Sequence, residues 1–280
     1  MSDTPKAAQE EEQVAKRART ESATESAIEP ATETMEEFPK EEPKIFSNEM
    51  FPEGVNNVFL KPKEEADRLD EAYGKGKGIF ENTESRDIAK NADKVQEMLA
   101  KYGAKEDATI VDLGAGTGLF LKDFAERVGP KGKVYACEIS EAFAEIMRRK
   151  VEADETMASV IEVVVSPEDT LNLPSGSADL IFVCDVYHHL TYPVTIMRHC
   201  RRILKPDGHL VVVDFHRDDD KIWHKPKGWV YQHVRADQDT FRSEILSAGL
   251  ELKEEPTIES LTENYIMVFT PAKATAPPSE

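Results

Sequence analysis

A glycine-rich turn is the strongest chemical signal in this sequence. Residues 112–118 read DLGAGTG, directly after an apolar run at 109–113 and at the start of a helical pattern at 118–128. Glycines at such a turn let the backbone reverse sharply and let a ligand approach it closely. The acidic Glu138 ends the next apolar run, about 20 residues later, which is the spacing of a carboxylate that accepts hydrogen bonds from a ribose. The pattern therefore predicts a nucleoside-containing cofactor.

Two cofactor classes fit a glycine turn of this kind. A nicotinamide or flavin dinucleotide favours the spacing G-x-G-x-x-G, with its pyrophosphate at the start of the helix. Here Leu119 occupies the position of the third glycine, and the carboxylate of Asp112 immediately precedes the turn. A carboxylate is unfavourable beside a pyrophosphate but favourable near an ammonium or a sulfonium. The residues favour S-adenosylmethionine, which carries both positive groups and no phosphate, over a dinucleotide.

Further segments carry a resemblance to a known family. Residues 169–174 (DTLNLP) and 177–181 (SADLI) resemble the adenine-binding stretch and fourth strand of the class I S-adenosylmethionine-dependent methyltransferases. Residues 202–211 (RILKPDGHLV) resemble the turn into their fifth strand. The resemblance covers roughly residues 86–270 and implies a Rossmann-like sheet of seven strands whose last strand is reversed, with methyl transfer as the activity.

The resemblance also implies roles for individual residues. Asp169 would bond the adenine amino group, Thr170 would offer its backbone N–H, and Glu138 would hold the ribose. An acid in a turn is often a solvated cap, which is the competing interpretation of Asp169. The predicted cofactor-binding residues are Asp112, Gly114, Ala115, Gly116, Gly118, Glu138, Asp169, Thr170 and Asp185.

The acceptor site is expected beyond the carboxyl ends of the fourth and fifth strands, where ligands of open α/β sheets bind. Residues 185–189 (DVYHH) and 214–217 (DFHR) follow these strands, and the loop 223–233 is expected to fold over the same pocket. The segments 185–189 and 229–235 resemble a small-molecule branch of the family. The predicted catalytic residues are His188, Tyr187 and His216.

Two interpretations of the paired histidines stay open. His188 can contact the acceptor or take its proton, or it can be a histidine at the start of a helix that is satisfied by the backbone. His188 and His189 are adjacent and lack the i, i+4 spacing of helical metal ligands, so we expect no metal site.

The acceptor is predicted from the chemistry that methyl transfer requires. The leaving group is a neutral thioether, so the protein has mainly to align the reactants. A thiol loses its proton at modest cost, whereas a hydroxyl or carbon acid needs a strong base, and the sequence shows no clear one. A small thiol is therefore weakly preferred. The alternatives are a protein methyltransferase and a catalytically silent interaction protein with this fold.

Strand and helix patterns alternate along the chain and predict the scaffold. Most apolar runs are nearly continuous in Val, Ile and Leu, which favours strands covered on both faces. The last two runs, 251–255 and 259–270, have no helix between them and should pair antiparallel. The predicted fold class is α/β, a doubly wound and mostly parallel seven-stranded sheet with an antiparallel last strand.

The predicted domain organisation surrounds this sheet with extensions. Residues 1–43 are poor in large apolar side chains and are expected to be a disordered acidic tail, able to bind protein partners. Residues 44–85 form a lead-in or lid, residues 86–270 the methyltransferase domain, and residues 271–280 a second disordered tail.

Composition excludes several classes of function. The formal net charge is −19, which disfavours nucleic-acid and anionic-membrane partners. The three cysteines, Cys137, Cys184 and Cys200, lie within strand or helix patterns and predict a reducing compartment. We expect a cytoplasmic protein, and the basic residues 16–19 (KRAR) leave a nuclear location open.

Overall fold

Seven strands form one sheet in the described part of the chain, which comprises residues 38–74 and 78–273 of the computed structural model. The spatial order is β3-β2-β1-β4-β5-β7-β6, and β7 pairs antiparallel with both β5 and β6. The predicted fold class is therefore confirmed. The strands are β1 Thr109–Leu113, β2 Lys133–Glu138, β3 Ile161–Val165, β4 Ala178–Cys184, β5 Leu204–Phe215, β6 Leu250–Glu254 and β7 Asn264–Pro271.

Helices lie in most of the connections between strands and cover both faces of the sheet. In β4, Leu180 and Phe182 pack into one apolar layer while Ile181 and Val183 pack into the other, because successive side chains of a strand point to opposite faces. The helices are α1 Ala66–Tyr73, α2 Asp87–Lys90, α3 Ala92–Leu99, α4 Leu121–Val128, α5 Glu141–Glu152, α6 Glu155–Val160, α7 Pro193–Ile203, α8 Trp229–His233 and α9 Gln238–Ser247.

Local residue chemistry explains several helix ends. The side chain of Ser140 accepts a hydrogen bond from the backbone N–H of Phe143 at the start of α5, and Asp154 caps α6 in the same way. Residues 87–99 form the two helices α2 and α3 and not one, because Asn91 leaves helical geometry and its side-chain amide donates to the carbonyl oxygen of Asp87. No helix of the described residues is long and apolar enough to cross a membrane.

The lead-in packs against helix α5. Phe59, Tyr73 and Phe80 lie against a buried cluster that includes Leu69 of α1 and Phe143 of α5. Contacts begin before the predicted boundary at residue 43, since the carboxylate of Glu41 accepts the backbone N–H groups of Val194 and Thr195. The basic residues 16–19, most of the predicted tails at 1–43 and 271–280, and part of the glycine loop at 74–78 lie outside the described residues.

Candidate active site

A cavity of about 360 Å³ opens at the carboxyl ends of β1, β2, β4 and β5. The ends of β1 and β4 line it. These two strands are neighbours in the sheet, and the strand order runs outward from them in opposite directions. Ligands of doubly wound sheets bind at this point, and the volume is within the range of small-molecule sites. The cavity therefore occupies the position that the sequence predicted for the functional site.

The glycine turn forms one wall of the cavity and leaves no room for a side chain. Gly114 has φ +75°, and a Cβ there would lie 2.5 Å from Cγ1 of Val186. The backbone N–H groups of Gly114 and Ala115 donate to the carbonyl oxygen of Cys137 at the end of β2. Glycine is required at residue 114 both for the backbone conformation and for the close approach of Val186 in the turn after β4.

The carboxylate of Glu138 is held rigidly at the end of β2. One oxygen accepts the backbone N–H of Gly116 at 2.9 Å, and the other accepts those of Ile139 and Ser140 at 2.9 and 3.0 Å. Burial raises the pKa of Glu138, and these three hydrogen bonds oppose the shift. The carboxylate lines the cavity in a fixed orientation with acceptor capacity remaining, as a ribose-binding acid requires.

Asp112 brings a second carboxylate to the same wall. Its side chain is buried, at 3 % exposure, and its Oδ2 has no hydrogen-bond partner among the described residues. Burial and then the charge of Glu138 raise the pKa of Asp112 to about 7. A buried acid of this kind is stabilised in its ionised form by a positive ligand group.

These residues fit S-adenosylmethionine and not a dinucleotide. The N–H of Gly116, in the turn before α4, already donates to Glu138 and is not available to a phosphate. Asp112, Glu138 and Asp185 make this end of the cavity acidic, which would repel a pyrophosphate and attract a sulfonium and an ammonium. Asp112, Gly114, Ala115 and Gly116 would hold the methionine end, and Glu138 would hold the ribose.

Three of the predicted cofactor-binding residues do not line the cavity. Gly118 lies beneath the turn, where a Cβ would lie 2.8 Å from the side chain of Leu121. Asp169 is exposed, and neither it nor Thr170 contributes to the lining. Ser166, Pro167, Glu168 and Leu171 line this part of the cavity instead. The sequence motif located the segment, but it could not show which side chains of an irregular loop face inward.

Asp185 joins the end of β4 to the lead-in. It lines the cavity in a left-handed conformation, with φ +53°. One carboxylate oxygen lies 2.7 Å from Nη2 of Arg86, and the other accepts the amide of Asn264 at 2.5 Å. Burial raises the pKa of Asp185, while Arg86 acts against the shift. Arg86, which no sequence motif singles out, also donates to the carbonyl oxygen of Phe80.

His188 forms a buried pair with Asp214 at the other end of the cavity. Its Nδ1 lies 2.7 Å from Oδ1 of Asp214, and its backbone N–H donates to Oδ2 at 3.1 Å. The exposures of the two side chains are 1 % and 0 %. His188 lines the cavity, and its Nε2 has no hydrogen-bond partner among the described residues. The arrangement fixes the ring with one nitrogen on Asp214 and the other toward the cavity.

His189 and His233 complete a cluster of three imidazoles with His188. The ligand nitrogens of the three rings lie within 4.8 Å of one another. Burial, reinforced by the neighbouring histidines, holds the pKa of His189 well below its usual range. Burial and His188 lower the pKa of His233 to about 2. The sequence showed His188 and His189 side by side, whereas the ring of His233 joins them only in the folded structure.

Tyr187 and His216, the other predicted catalytic residues, do not line the cavity. Tyr187 is fully buried and packs on Phe241, with the guanidinium of Arg235 over its ring. His216 lies beside Lys221, and burial followed by that positive charge lowers its pKa to about 4. The 3₁₀ turn at Tyr187–His189 directs consecutive side chains apart, so that His188 faces the cavity while Tyr187 faces the core.

Two segments close over the remaining sides of the cavity. The lead-in contributes mainly apolar side chains, and the loop 223–233 folds over the pocket as predicted. Asn56 of the lead-in bonds the Nδ1 of His189 through its Oδ1 at 2.9 Å, and Trp229 of the loop stacks on His233. The lining residues from these segments are Phe51, Asn56, Val58, Phe59, Tyr73, Ile79, Phe80, His224, Lys225, Trp229 and His233.

Comparison with known proteins matches the central part of the chain to one family. Residues 111–212 match the family described as a methyltransferase domain. The ubiquinone/menaquinone biosynthesis C-methyltransferase UbiE of Hahella chejuensis is 29 % identical over 122 residues, which cover 44 % of this chain and 49 % of the relative. The match thus spans about half the length of this curated relative.

Solved structures share the fold at low sequence identity. An S-adenosylmethionine-dependent methyltransferase from Aquifex aeolicus has a TM-score of 0.57 at 20 % identity, covering 73 % of this chain and 97 % of its own. The [4+2]-cyclase SpnF has a TM-score of 0.56 at 13 % identity, covering 66 % of this chain and 83 % of its own. Because neighbours of this fold include a cyclase, the geometry of the site has to carry the functional argument.

Proposed function

We propose that the chain is a class I S-adenosylmethionine-dependent methyltransferase, which the family match over residues 111–212 supports, and that it transfers the cofactor's methyl group to a small-molecule acceptor. One observation carries the proposal: the same cavity is lined by the glycine turn and Glu138 at one end and by the three histidines at the other. Cofactor and acceptor can therefore occupy neighbouring parts of one cavity, which is the arrangement that direct methyl transfer needs.

The enclosure of the cavity favours a small acceptor. The lead-in and the loop 223–233 wall it with aromatic side chains, including Phe59, Phe80 and Trp229. A protein substrate would have to extend a side chain past both segments to reach the histidines. A compact and partly apolar molecule can be enclosed completely, which excludes water and favours transfer to the acceptor over hydrolysis.

In such a reaction the protein's side chains have mainly to bind and orient the two reactants. When bound, S-adenosylmethionine supplies an electrophilic methyl group on a positively charged sulfur. Asp112 and Glu138 hold the charged and ribose portions, and orientation of two reactants can lower a barrier by about 7–11 kcal/mol. Nε2 of His188, positioned by Asp214, can accept a hydrogen bond from the protonated nucleophile of the acceptor.

A small thiol remains the preferred acceptor, with an acidic carbon as the second candidate. A thiol needs no strong base, but the His188–Asp214 pair offers a proton acceptor and so also permits a less acidic nucleophile. The UbiE relative is a C-methyltransferase, which favours the second candidate. A hydroxyl-activated aromatic ring would suit the apolar walls of the cavity.

A panel assay with the full chain tests the proposal. Purified protein is incubated with S-adenosylmethionine and, separately, an apolar thiol, a hydroquinone, an amine and a peptide mixture, and S-adenosylhomocysteine and methylated product are measured. Methylation of the thiol or hydroquinone, lost in Glu138→Ala and retained in His209→Gln, whose side chain lies outside the cavity lining, supports the proposal. Methylation of peptides alone would identify a protein methyltransferase, and failure to bind the cofactor would leave the silent interaction protein.

A further inference from the structure

We propose that His188, His189 and His233 bind a divalent transition-metal ion of the zinc type at the acceptor end of the cavity. The three rings come from two separate segments, the turn after β4 and the end of α8. All three line the cavity. The site does not depend on the proposed methyl transfer, but its open side faces the space in which the acceptor would bind.

The spacing of the rings is close to that of a three-histidine metal site. Their centroids are 4.1 Å apart for His188 and His189, 5.1 Å for His188 and His233, and 4.9 Å for His189 and His233. Imidazole nitrogens at about 2.0–2.1 Å from a tetrahedral zinc ion lie roughly 3.4 Å apart. The observed nitrogens lie within 4.8 Å of one another, so small ring rotations would bring them to an ion.

Neighbouring groups already orient the rings as metal ligands. Histidine ligands usually hydrogen-bond a carboxylate or carbonyl through the ring nitrogen that does not face the metal. Nδ1 of His188 bonds Asp214, and Nδ1 of His189 bonds the amide oxygen of Asn56, so each ring has Nε2 left for a ligand. The ring of His233 is fixed by stacking on Trp229, with centroids 4.5 Å apart.

The cluster itself leaves nitrogens unsatisfied. Nε2 of His188 and Nδ1 of His233 are buried and have no hydrogen-bond partner among the described residues. Buried polar atoms without partners are uncommon and point to a bound ion, water or ligand. Because two such atoms and a third imidazole converge on one point of the cavity, a shared ligand accounts for all of them together.

The donor set indicates the type of metal and its role. Imidazole suits zinc, copper, iron and nickel, whereas magnesium and calcium prefer oxygen ligands. Three protein ligands with an open position are typical of catalytic zinc sites. With an ion bound, His188 would act as a ligand and the ion would contact the acceptor's nucleophile.

If the proposed methyl transfer holds, a bound metal ion would favour the thiol over the acidic carbon as the acceptor. A thiol binding at the open position would release its proton to solvent and become a thiolate. Methyl transfer then forms a sulfur–carbon bond on the acceptor and breaks one in the sulfonium, leaving two neutral thioethers. The metal site thus supplies an activation of the thiol that does not require a side-chain base.

Metal binding can be measured without any acceptor. Full-length protein is stripped with a chelator and titrated with Zn²⁺ alone by competition with a chromophoric chelator, and separately with Co²⁺ to record its visible absorption. We expect one ion per chain and a cobalt spectrum of tetrahedral type. His233→Ala should weaken zinc binding at least 100-fold and Asn56→Ala about 10-fold. The control His209→Gln, in the middle of β5 and outside the cavity lining, should bind zinc like the unmodified chain.

The outcomes separate the metal site from the proposed function. Each variant is also titrated with S-adenosylmethionine, and retained cofactor binding shows that a loss of zinc affinity is local and not due to unfolding. Zinc binding that is equally tight in His233→Ala and in the unmodified chain would overturn the metal site. Methylation that persists in stripped protein would leave the proposed function intact while removing the metal from the reaction.

Discussion

Nδ1 of His188 lies 2.7 Å from Oδ1 of Asp214, and neither side chain is appreciably exposed. Asp214 also accepts the backbone N–H groups of His188 and Phe215. One carboxylate at the end of β5 therefore fixes both the ring and the backbone of the turn that follows β4. This contact determines which ring nitrogen faces the cavity, and it gives the histidine cluster its orientation.

Asp214→Asn should weaken the histidine cluster without affecting the cofactor end. An amide can present an N–H to Nδ1 and favour the wrong tautomer, so that Nε2 becomes protonated. We expect methyl transfer and zinc affinity to fall by about 10- to 100-fold. Initial rates and zinc titration measure the change, with exposed Asp207→Asn as the control. An equal loss of S-adenosylmethionine affinity would point instead to a general loss of structure.

Glu138→Ala should weaken cofactor binding strongly. The substitution removes the carboxylate that accepts three backbone N–H groups and would accept the ribose hydroxyls. Charge-assisted hydrogen bonds contribute about 1.5–3 kcal/mol each, so the dissociation constant should rise by about 10- to 100-fold. Calorimetry measures the change, with Glu141→Ala, exposed at the start of α5, as the control. Unchanged affinity in Glu138→Ala would contradict the assigned ribose contact.

Cofactor affinity should decrease as the pH falls through neutrality. Burial and Glu138 raise the pKa of Asp112 to about 7, so its carboxylate becomes neutral below that pH. Loss of this charge removes an attraction for the sulfonium and ammonium groups. We expect affinity to fall roughly tenfold or more between about pH 7.5 and 5.5, measured by calorimetry. Asp112→Asn should bind weakly with a flatter pH dependence; an identical slope would assign the titration to another group.

The same carboxyl should make the protein without cofactor less stable at higher pH. The folded-state pKa of about 7 exceeds the ordinary value of 3.8, so protonation favours the folded state between these values. The contribution of Asp112 to stability is fully present below about pH 4 and is lost as the pH rises through about 7. Urea unfolding at several pH values should therefore show Asp112→Asn gaining stability relative to the unmodified chain as the pH rises.

Gly114→Ala should disrupt the turn more than a matched substitution elsewhere. Its φ is +75° and the added Cβ would clash with Val186, whereas Gly176 has φ +60° and nothing within 4 Å of its added Cβ. Both variants bear the backbone penalty of about 1–2 kcal/mol, and only Gly114→Ala adds the clash. Thermal unfolding and cofactor titration compare the two. Equal effects would show that backbone conformation alone requires glycine at residue 114.

Arg86→Gln should destabilise the lead-in by leaving a buried charge unpaired. Arg86 lies 2.7 Å from Asp185, and the two side chains are 14 % and 3 % exposed. Breaking a buried pair costs about 3–5 kcal/mol, measurable by urea unfolding, and adding Asp185→Asn should recover part of the loss. The exposed pair of Arg68 and Glu65 is the control, since Arg68→Gln should cost at most about 1 kcal/mol. Failure of the double variant to recover stability would argue against a charge effect.

Local sequence patterns determined the strands of the sheet and the position of the glycine turn relative to Glu138. The continuous apolar strands required cover on both faces, and the turn at 112–118 with Glu138 one strand later placed two ligand-binding walls at the same sheet edge. These features depend on short-range geometry: strand periodicity, glycine torsion angles and the parallel register of β1 with β2. For that reason they could be inferred from spacing along the chain.

The acceptor end depended on contacts between distant segments. The sequence predicted His188 but also Tyr187 and His216, because adjacency does not reveal which way a 3₁₀ turn directs each side chain. His233 joins the cluster only when the segment 223–233 folds over the cavity, and Arg86 reaches Asp185 only when residues far apart along the chain pack together. The sequence by itself determined a doubly wound sheet with a glycine turn and Glu138 at one edge; the tertiary structure decided which histidines converge, since their directions are set by long-range packing.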